Sequence, residues 1–252
     1  AADGTTSTVI ITINGNDDLP VISAGTGSVV EDSQPSTTGT LTATDVDNPA
    51  LAFVAGSTTG AYGALVIDAD GHWTYALDNR AQPLAQGQTV ADTITVTLND
   101  GSTTTVTVSI AGTNDAAVIT GTATGNVTED GTIVSSGTLA ATDIDSPATF
   151  VAASASGTYG DFTVDTTGHW SYTLRNGHAN VQALTRGQHP TESFTVTTAD
   201  GTTTTVVVTV NGANEAPSAV ITPAAGAEDA ASIPITLRGT DGDGSVASFT
   251  IW

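Results

Sequence analysis

The chain of 252 residues carries only four basic side chains, the arginines Arg80, Arg175, Arg186 and Arg238, against 26 aspartates and glutamates, a net charge of −22. That balance excludes a nucleic-acid groove and repels an anionic membrane, and zero cysteines exclude a disulfide framework, a thiol nucleophile and thiolate metal sites while leaving the redox compartment open. The length allows one to three domains, and no apolar run approaches the ~18 residues of a membrane helix or shows a secretory leader.

In chain order, residues 1–18 read as the close of a unit, because Asp3-Gly4 stands 97 positions before Asp100-Gly101 and the stretch ends in Asn14-Gly15-Asn16-Asp17. The word GTLTATDVDNPA at Gly39 returns as GTLAATDIDSPA at Gly137, 98 positions later. Glu31-Asp32 is matched by Glu129-Asp130, Tyr62-Gly63 by Tyr159-Gly160, Gly71-His72-Trp73 by Gly168-His169-Trp170, and Asp100-Gly101 by Asp200-Gly201. The chain is therefore an array. Unit one spans 19–115 and unit two 116–215; a more divergent third unit starts at 216, carries Glu228-Asp229 and Gly239-Thr240-Asp241-Gly242-Asp243, and ends at 252 inside the repeat. The matched spacing slips between Trp73 and Leu84, which predicts a variable loop there.

Within each unit, Thr93 to Leu98, Thr105 to Ile110 and Ser193 to Val196 alternate apolar residues with threonine or serine, the period of half-buried strands. Asn99-Asp100-Gly101, Asp70-Gly71 and Ala199-Asp200-Gly201 supply the turns, and helical periodicity is at most weak, after Arg80 and Arg175. Each unit is predicted to be an antiparallel seven-strand sandwich. The fold class is all-β, with tandem immunoglobulin- or cadherin-like sandwiches joined end to end.

The words SGTLAATDIDSPATF, SGTYGDFTVDTTGHWSYTLRN and TTADGTTTTVVVTVNG resemble the VCBS repeat of large bacterial surface proteins, many of them RTX-type adhesins. VTEDGTIVSSGTLAATDID also resembles the opening of a cadherin repeat, and residues 216–252 a divergent bacterial cadherin-like domain. The resemblance implies an extracellular, type I secreted stalk at the bacterial surface, loaded with Ca2+ between successive repeats, although the sequence shows no RTX nonapeptides and no export signal.

Strand direction gives the carboxylates a geometry. Alternate strands end at opposite poles, so Glu31 is predicted at the bottom of unit one, and Asp45, Asp47 and Asp100 at its top. Stacking unit two below is expected to bring Glu31, Asp78, Asn114 and Asp115 against Asp143, Asp145 and Asp200. The same set is expected upstream as Asn16, Asp17 or Asp18 with Asp45, Asp47 and Asp100, and downstream as Glu129, Asn214, Glu215, Asp241 and Asp243. Like charges ~4 Å apart repel by about 1 kcal/mol in water and about 4 kcal/mol at an effective dielectric near 20, so such a set calls for a cation. All-oxygen ligands without histidine or thiolate favour Ca2+ over zinc or copper. Arg175 stands where unit one has Asp78, which predicts fewer or weaker ions at the lower joint. Against this, Asp, Asn and Gly are also what tight turns require.

Trp73, Trp170, Tyr75 and Tyr172 are predicted in the core, with His72 and His169 facing out and lacking partners at metal spacing. No nucleophile elbow, zinc helix or phosphate loop occurs, so an enzyme is not expected. The function expected is a calcium-stiffened extender in a cell-adhesion protein, with neighbouring repeats as its partners. The alternatives are an adhesin module binding a surface glycan or host protein, most plausibly through the loops at 79–90 and 176–190, and a non-catalytic appendage of a secreted enzyme.

Overall fold

The computed structural model describes residues 2–220 and 222–250; Ala1, Ile221, Ile251 and Trp252, which fall in the expected first and last segments, lie outside the described residues. The chain divides into two compact units, Ala1–Asn114 and Asp115–Trp252. No helix occurs among the described residues.

In the first unit the strands are β1 (Val21–Ile22), β2 (Gly25–Val30), β3 (Ser36–Thr40), β4 (Ala43–Thr44), β5 (Gly56–Thr59), β6 (Gly63–Ile67), β7 (His72–Leu77), β8 (Thr89–Thr97) and β9 (Thr103–Ala111). One sheet runs β3-β7-β6-β5, with β1 on β4, and the other runs β2-β9-β8. Along β8 and β9 the buried residues are the alternate ones, Ile94, Val96, Val106, Val108 and Ile110, and the threonines between them face outward. They meet Leu65, Ile67, Trp73 and Tyr75 of the facing sheet in a single core. Each buried side chain of this size contributes about 1.5–3 kcal/mol, so this inner layer rather than the threonine face holds the sandwich together.

The second unit repeats the plan with β10 (Val118–Gly121), β11 (Thr124–Thr128), β12 (Val134–Thr142), β13 (Ala153–Ser156), β14 (Gly160–Val164), β15 (His169–Leu174), β16 (Thr191–Thr197) and β17 (Thr203–Asn211). Its sheets are β10-β12-β15-β14-β13 and β11-β17-β16, around a core of Phe162, Trp170, Tyr172, Phe194, Val206 and Val208. Phe162 and Phe194 stack across the sandwich with ring centroids 4.6 Å apart. Past β17, β18 (Ser218–Val220) pairs antiparallel with β19 (Arg238–Thr240).

The sandwich departs from a wholly antiparallel one at one place in each unit. The chain starts on one sheet as β1 or β10 and then crosses to the other, where β2 runs parallel to β9 and β11 parallel to β17. This crossing sets the position of the glutamates. Glu31 follows β2 directly, and its N–H donates to the Ala111 carbonyl at the end of β9 (3.0 Å); Glu129 makes the same bond to Asn211 (2.9 Å).

A second constraint comes from the tryptophans. Gly39 pairs with Trp73 across β3 and β7, and a Cβ at Gly39 would stand 2.5 Å from the indole Cζ2; Gly137 meets Trp170 in the same way at 2.7 Å. The indole lies over the neighbouring strand, and only glycine leaves it room.

The loop after Arg80 is a run of tight turns rather than a helix. Ala81 N–H bonds the Asp78 carbonyl (3.0 Å) and Leu84 N–H the Ala81 carbonyl (2.9 Å), with Ala81 and Leu84 plugged into the core. Its counterpart in the second unit is anchored by Val181 and Leu184.

Candidate metal centres

Glu31 and Glu129 are each only 1% exposed, although long carboxylates rarely lie so deep without partners. Each carboxylate is held at both oxygens. Glu31 Oε1 accepts from Gln82 Nε2 at 3.0 Å and Oε2 from the Thr113 N–H at 3.2 Å. Glu129 Oε1 accepts from Gln182 Nε2 at 3.0 Å and Oε2 from the Ala213 N–H at 3.2 Å. The residues that follow, Asp32 and Asp130, adopt left-handed backbone at φ 56° and 51°, uncommon for a residue with a Cβ. Asp32 accepts from Gln82 (3.3 Å), and Asp130 exchanges two bonds with Asn176, from its own N–H (2.9 Å) and from Asn176 Nδ2 to its carboxylate (2.6 Å).

The Asp-x-Asp words form turns in both units. Asp45 Oδ1 accepts the N–H groups of Asp47 (2.7 Å) and Asn48 (3.0 Å), and Asp143 Oδ1 those of Asp145 (3.0 Å) and Ser146 (2.8 Å). The turn reading is thus correct for one oxygen of the first aspartate. Among the described residues, Asp143 Oδ2 and both oxygens of Asp145 are buried with no donor at full hydrogen-bond geometry, although the Asp115 N–H acts on Asp145. Burial and the Asp143 side chain push the Asp145 carboxyl above its ordinary value.

In the first unit, Asp47 Oδ2 takes the Asp18 N–H at 2.8 Å, which brings the incoming Asn16-Asp17-Asp18 segment to the Asp45 turn. Asp100 spends its oxygens on Ser102, at 2.9 Å to the N–H and 2.9 Å to the hydroxyl. In the second unit, Asp200 binds the Ala117 N–H (3.0 Å) and the hydroxyls of Thr198 and Thr202. Desolvation raises its pKa, but these donors outweigh it and hold the carboxyl far below the usual range. Asp200 therefore anchors the strand entry at Ala117, and Asp115 lines the same hollow as Asp143.

In the second unit the charges of Glu215 and Asp243 act on Glu129. The Glu215 N–H reaches Asp243 Oδ1 at 3.4 Å, and Asn214 Nδ2 donates to the Glu215 carbonyl at 2.9 Å. Among the described residues, both Glu215 oxygens and Asp241 Oδ1 are buried with no donor at full hydrogen-bond geometry, although Glu215 and Glu129 interact through their side chains. Glu215 is pushed up by burial, then by the charges of Glu129 and Asp243; Glu129 is pushed up chiefly by burial. Buried anionic oxygens that lack donors are what a hard, oxygen-seeking cation requires, so the chemistry of the donor set fits Ca2+.

Three findings depart from the sequence reading. Asp78 shares a shallow depression with Glu31 and Asp32, but its carboxylate is gripped by Arg80, with Nε at 2.9 Å and Nη2 at 2.6 Å, which holds its pKa down to about 2. Arg175 is not a lost ligand. Arg80 donates to the Gly60 carbonyl (2.8 Å), and Arg175 donates to Gly157, the matching residue of the second unit, so the arginine has moved in sequence while keeping its contact. His72, expected to have no partner at metal spacing, lies 3.3 Å from Asp68, and with Asp70 the three offer ligand atoms within 4.8 Å of one another on an exposed turn.

A buried carboxylate of a different kind stands on β8. Asp92, 3% exposed, accepts the N–H groups of Ala61 and Tyr62 (both 3.0 Å) and the Tyr75 hydroxyl (2.8 Å). Glu192 does the same for Thr158, Tyr159 and Tyr172. The signal was present, because Asp92 is in phase with Ile94 and Val96 on the inward face of β8, and Glu192 with Phe194 and Val196 on β16.

The model of the bacterial cadherin-like domain matches residues 17–112 and again 114–212. No curated protein sequence matches the chain. Among solved structures, it is similar to mouse cadherin-23 EC22-24 at 16% identity and a TM-score of 0.49, covering 91% of this chain and 80% of that one. It is also similar to the protocadherin gammaB4 extracellular domain, at 17% identity and a TM-score of 0.48, over 93% of this chain and 40% of that one. Protocadherin gamma B2 domains 3-6 align at 14% identity and a TM-score of 0.47, over 90% and 56%. The chain thus spans about half the length of these protocadherin fragments. On the two tandem matches over most of its length, the chain belongs to the bacterial cadherin-like domain family, whose fold is generally calcium-binding.

Proposed function

We propose that this chain is a calcium-stiffened extender segment of a secreted bacterial surface adhesin, exported by a type I route and acting outside the cell as a non-catalytic spacer beside further repeats. The observation that carries this reading is the set of buried carboxylate oxygens without donors at full hydrogen-bond geometry, Asp143 Oδ2, both oxygens of Asp145, both of Glu215 and Asp241 Oδ1. An unmatched buried charge costs several kcal/mol, and a bound cation is what would offset that cost for several carboxylates at once.

Bound Ca2+ supplies the missing positive charge. Glu31, Asp45, Asp47, Asp143, Asp145, Glu129, Glu215, Asp241 and Asp243 would hold it, with Asn16, Asp17, Asp18, Asn114, Asp115 and Asn214 available from the linkers. Asp100 and Asp200 fix the surrounding backbone, and Asp78 is committed to Arg80. Like-charged carboxylates repel when bare, so each acidic end is loose without the ion and fixed with it, and a chain of such ends becomes stiff. Calcium titration of the whole chain tests the reading. Binding at more than one class of site, with the Asp143→Asn/Asp145→Asn variant losing one class, supports it; no calcium binding at millimolar concentration overturns it.

A further inference from the structure

Gln82 and Gln182 stand outside every ligand set named above. Each lies in the variable loop, in the words Ala81-Gln82-Pro83-Leu84 and Val181-Gln182-Ala183-Leu184, with both apolar flanks sunk in the core of its unit. The side chain between two such anchors has little choice of direction, and in both units it points its amide at the buried glutamate. The separation in sequence differs, 51 residues from Glu31 to Gln82 and 53 from Glu129 to Gln182, yet the Nε2 to Oε1 distance is 3.0 Å in each. The loop has changed length and kept this contact.

The chemistry of the pair is informative. A buried carboxylate is most cheaply satisfied by an arginine, and each unit has one within reach of this loop. Arg80 and Arg175 are instead turned to the carbonyls of Gly60 and Gly157. Each glutamate receives one amide from the loop and one backbone N–H, from Thr113 or Ala213, and both of these donors are neutral. Two neutral hydrogen bonds fix the plane of the carboxylate without cancelling its charge. Gln182 is itself braced, since Nε2 also donates to the Asn176 carbonyl at 2.9 Å.

We propose that Gln82 and Gln182 are positioning residues for calcium, which hold Glu31 and Glu129 in the one rotamer and plane from which they ligate the ion. The proposal rests on the calcium reading of these glutamates and adds to it a role for residues that never touch the metal. A glutamate side chain has three free torsions, and fixing them in advance removes an entropic cost from binding. Partners of metal ligands in other sites affect affinity by about 10- to 100-fold, and a loss at the lower part of that range is expected here.

The test uses the full chain in calcium titration and in melting with calcium or with chelator. Glu129→Gln is expected to weaken or remove one class of site. Gln182→Leu, similar in volume but without a donor, is expected to weaken the same class by about 10-fold while leaving the Asp143/Asp145 class unchanged. Gln182→Asn, one methylene too short to reach, is expected to match it and serves if the leucine variant fails to fold. A residue with a purely structural role would lower the melting temperature equally with and without calcium, whereas a positioning residue reduces the increment that calcium confers. If Glu129→Gln loses a calcium class and both Gln182 variants bind as tightly as the parent, the positioning role is overturned and the calcium reading stands. If the parent chain binds no calcium, both are overturned.

Discussion

Replacing Asp92 by alanine strips the acceptor from three buried donors at once, the N–H groups of Ala61 and Tyr62 and the hydroxyl of Tyr75. Leaving one buried donor unmatched costs about 1–3 kcal/mol, and the three together about 3–6 kcal/mol once the hydroxyl is allowed to turn and water to enter. In a domain of this size 1 kcal/mol moves the melting temperature by about 4–8 °C, so the transition of the first unit should fall by at least about 12 °C. The second unit keeps its own trio on Glu192 and serves as the internal reference in a calorimetric scan with chelator present. Tyr75→Phe removes one donor and leaves the carboxylate on two amides, so its cost should be about 1.5–3 kcal/mol. A loss under about 1 kcal/mol for Asp92→Ala, or an equal fall in both units, would refute the assignment of Asp92 as the bond that ties the turn before β6 to the core.

Gly39→Ala places a Cβ against the Trp73 indole and should cost the first unit about 1–3 kcal/mol in urea unfolding, with Gly137→Ala doing the same in the second. The pKa of Asp92 is pushed up by desolvation, but the Tyr62 and Ala61 amides and the Tyr75 hydroxyl outweigh this and hold it below 3.8. Its stabilising contribution is thus complete above pH 3.8 and lost as pH falls through the lower folded value, so Asp92→Asn should flatten the acid limb of the stability curve of the first unit, followed by circular dichroism. Arg175→Asp removes the donor to the Gly157 carbonyl and should lower the melting temperature of the second unit without tightening calcium binding, as calorimetry and titration will show.

Much of the fold was legible because a sandwich strand writes its burial as alternation. Thr93 to Leu98 and Thr105 to Ile110 alternate cleanly, and the paired Trp-x-Tyr words marked the core strands. The parallel pairing of β2 with β9 was not legible, because Gly25 to Val30 has no alternation strong enough to show a strand that changes sheets. The candidate centres divide in the same way. Repeated Asp-x-Asp and Glu-Asp words gave the acidic sets, since their recurrence exceeds what turns need. Asp78 was misleading because its partner, Arg80, lies two residues away and no periodicity separates an ion pair from a ligand. Asp92 lies one residue before the alternation that runs from Thr93 to Leu98 and shares the inward phase of Ile94 and Val96. Gln82 gave no signal, since its role depends on two core anchors visible only once the loop is folded.

Small-angle scattering of the whole chain, with saturating calcium and again with chelator, tests the central claim most directly. The account predicts a longer and narrower distribution of intramolecular distances with calcium, and a shorter, broader one without it while each sandwich stays folded by circular dichroism. A maximum dimension and distribution unchanged by chelation would contradict calcium stiffening.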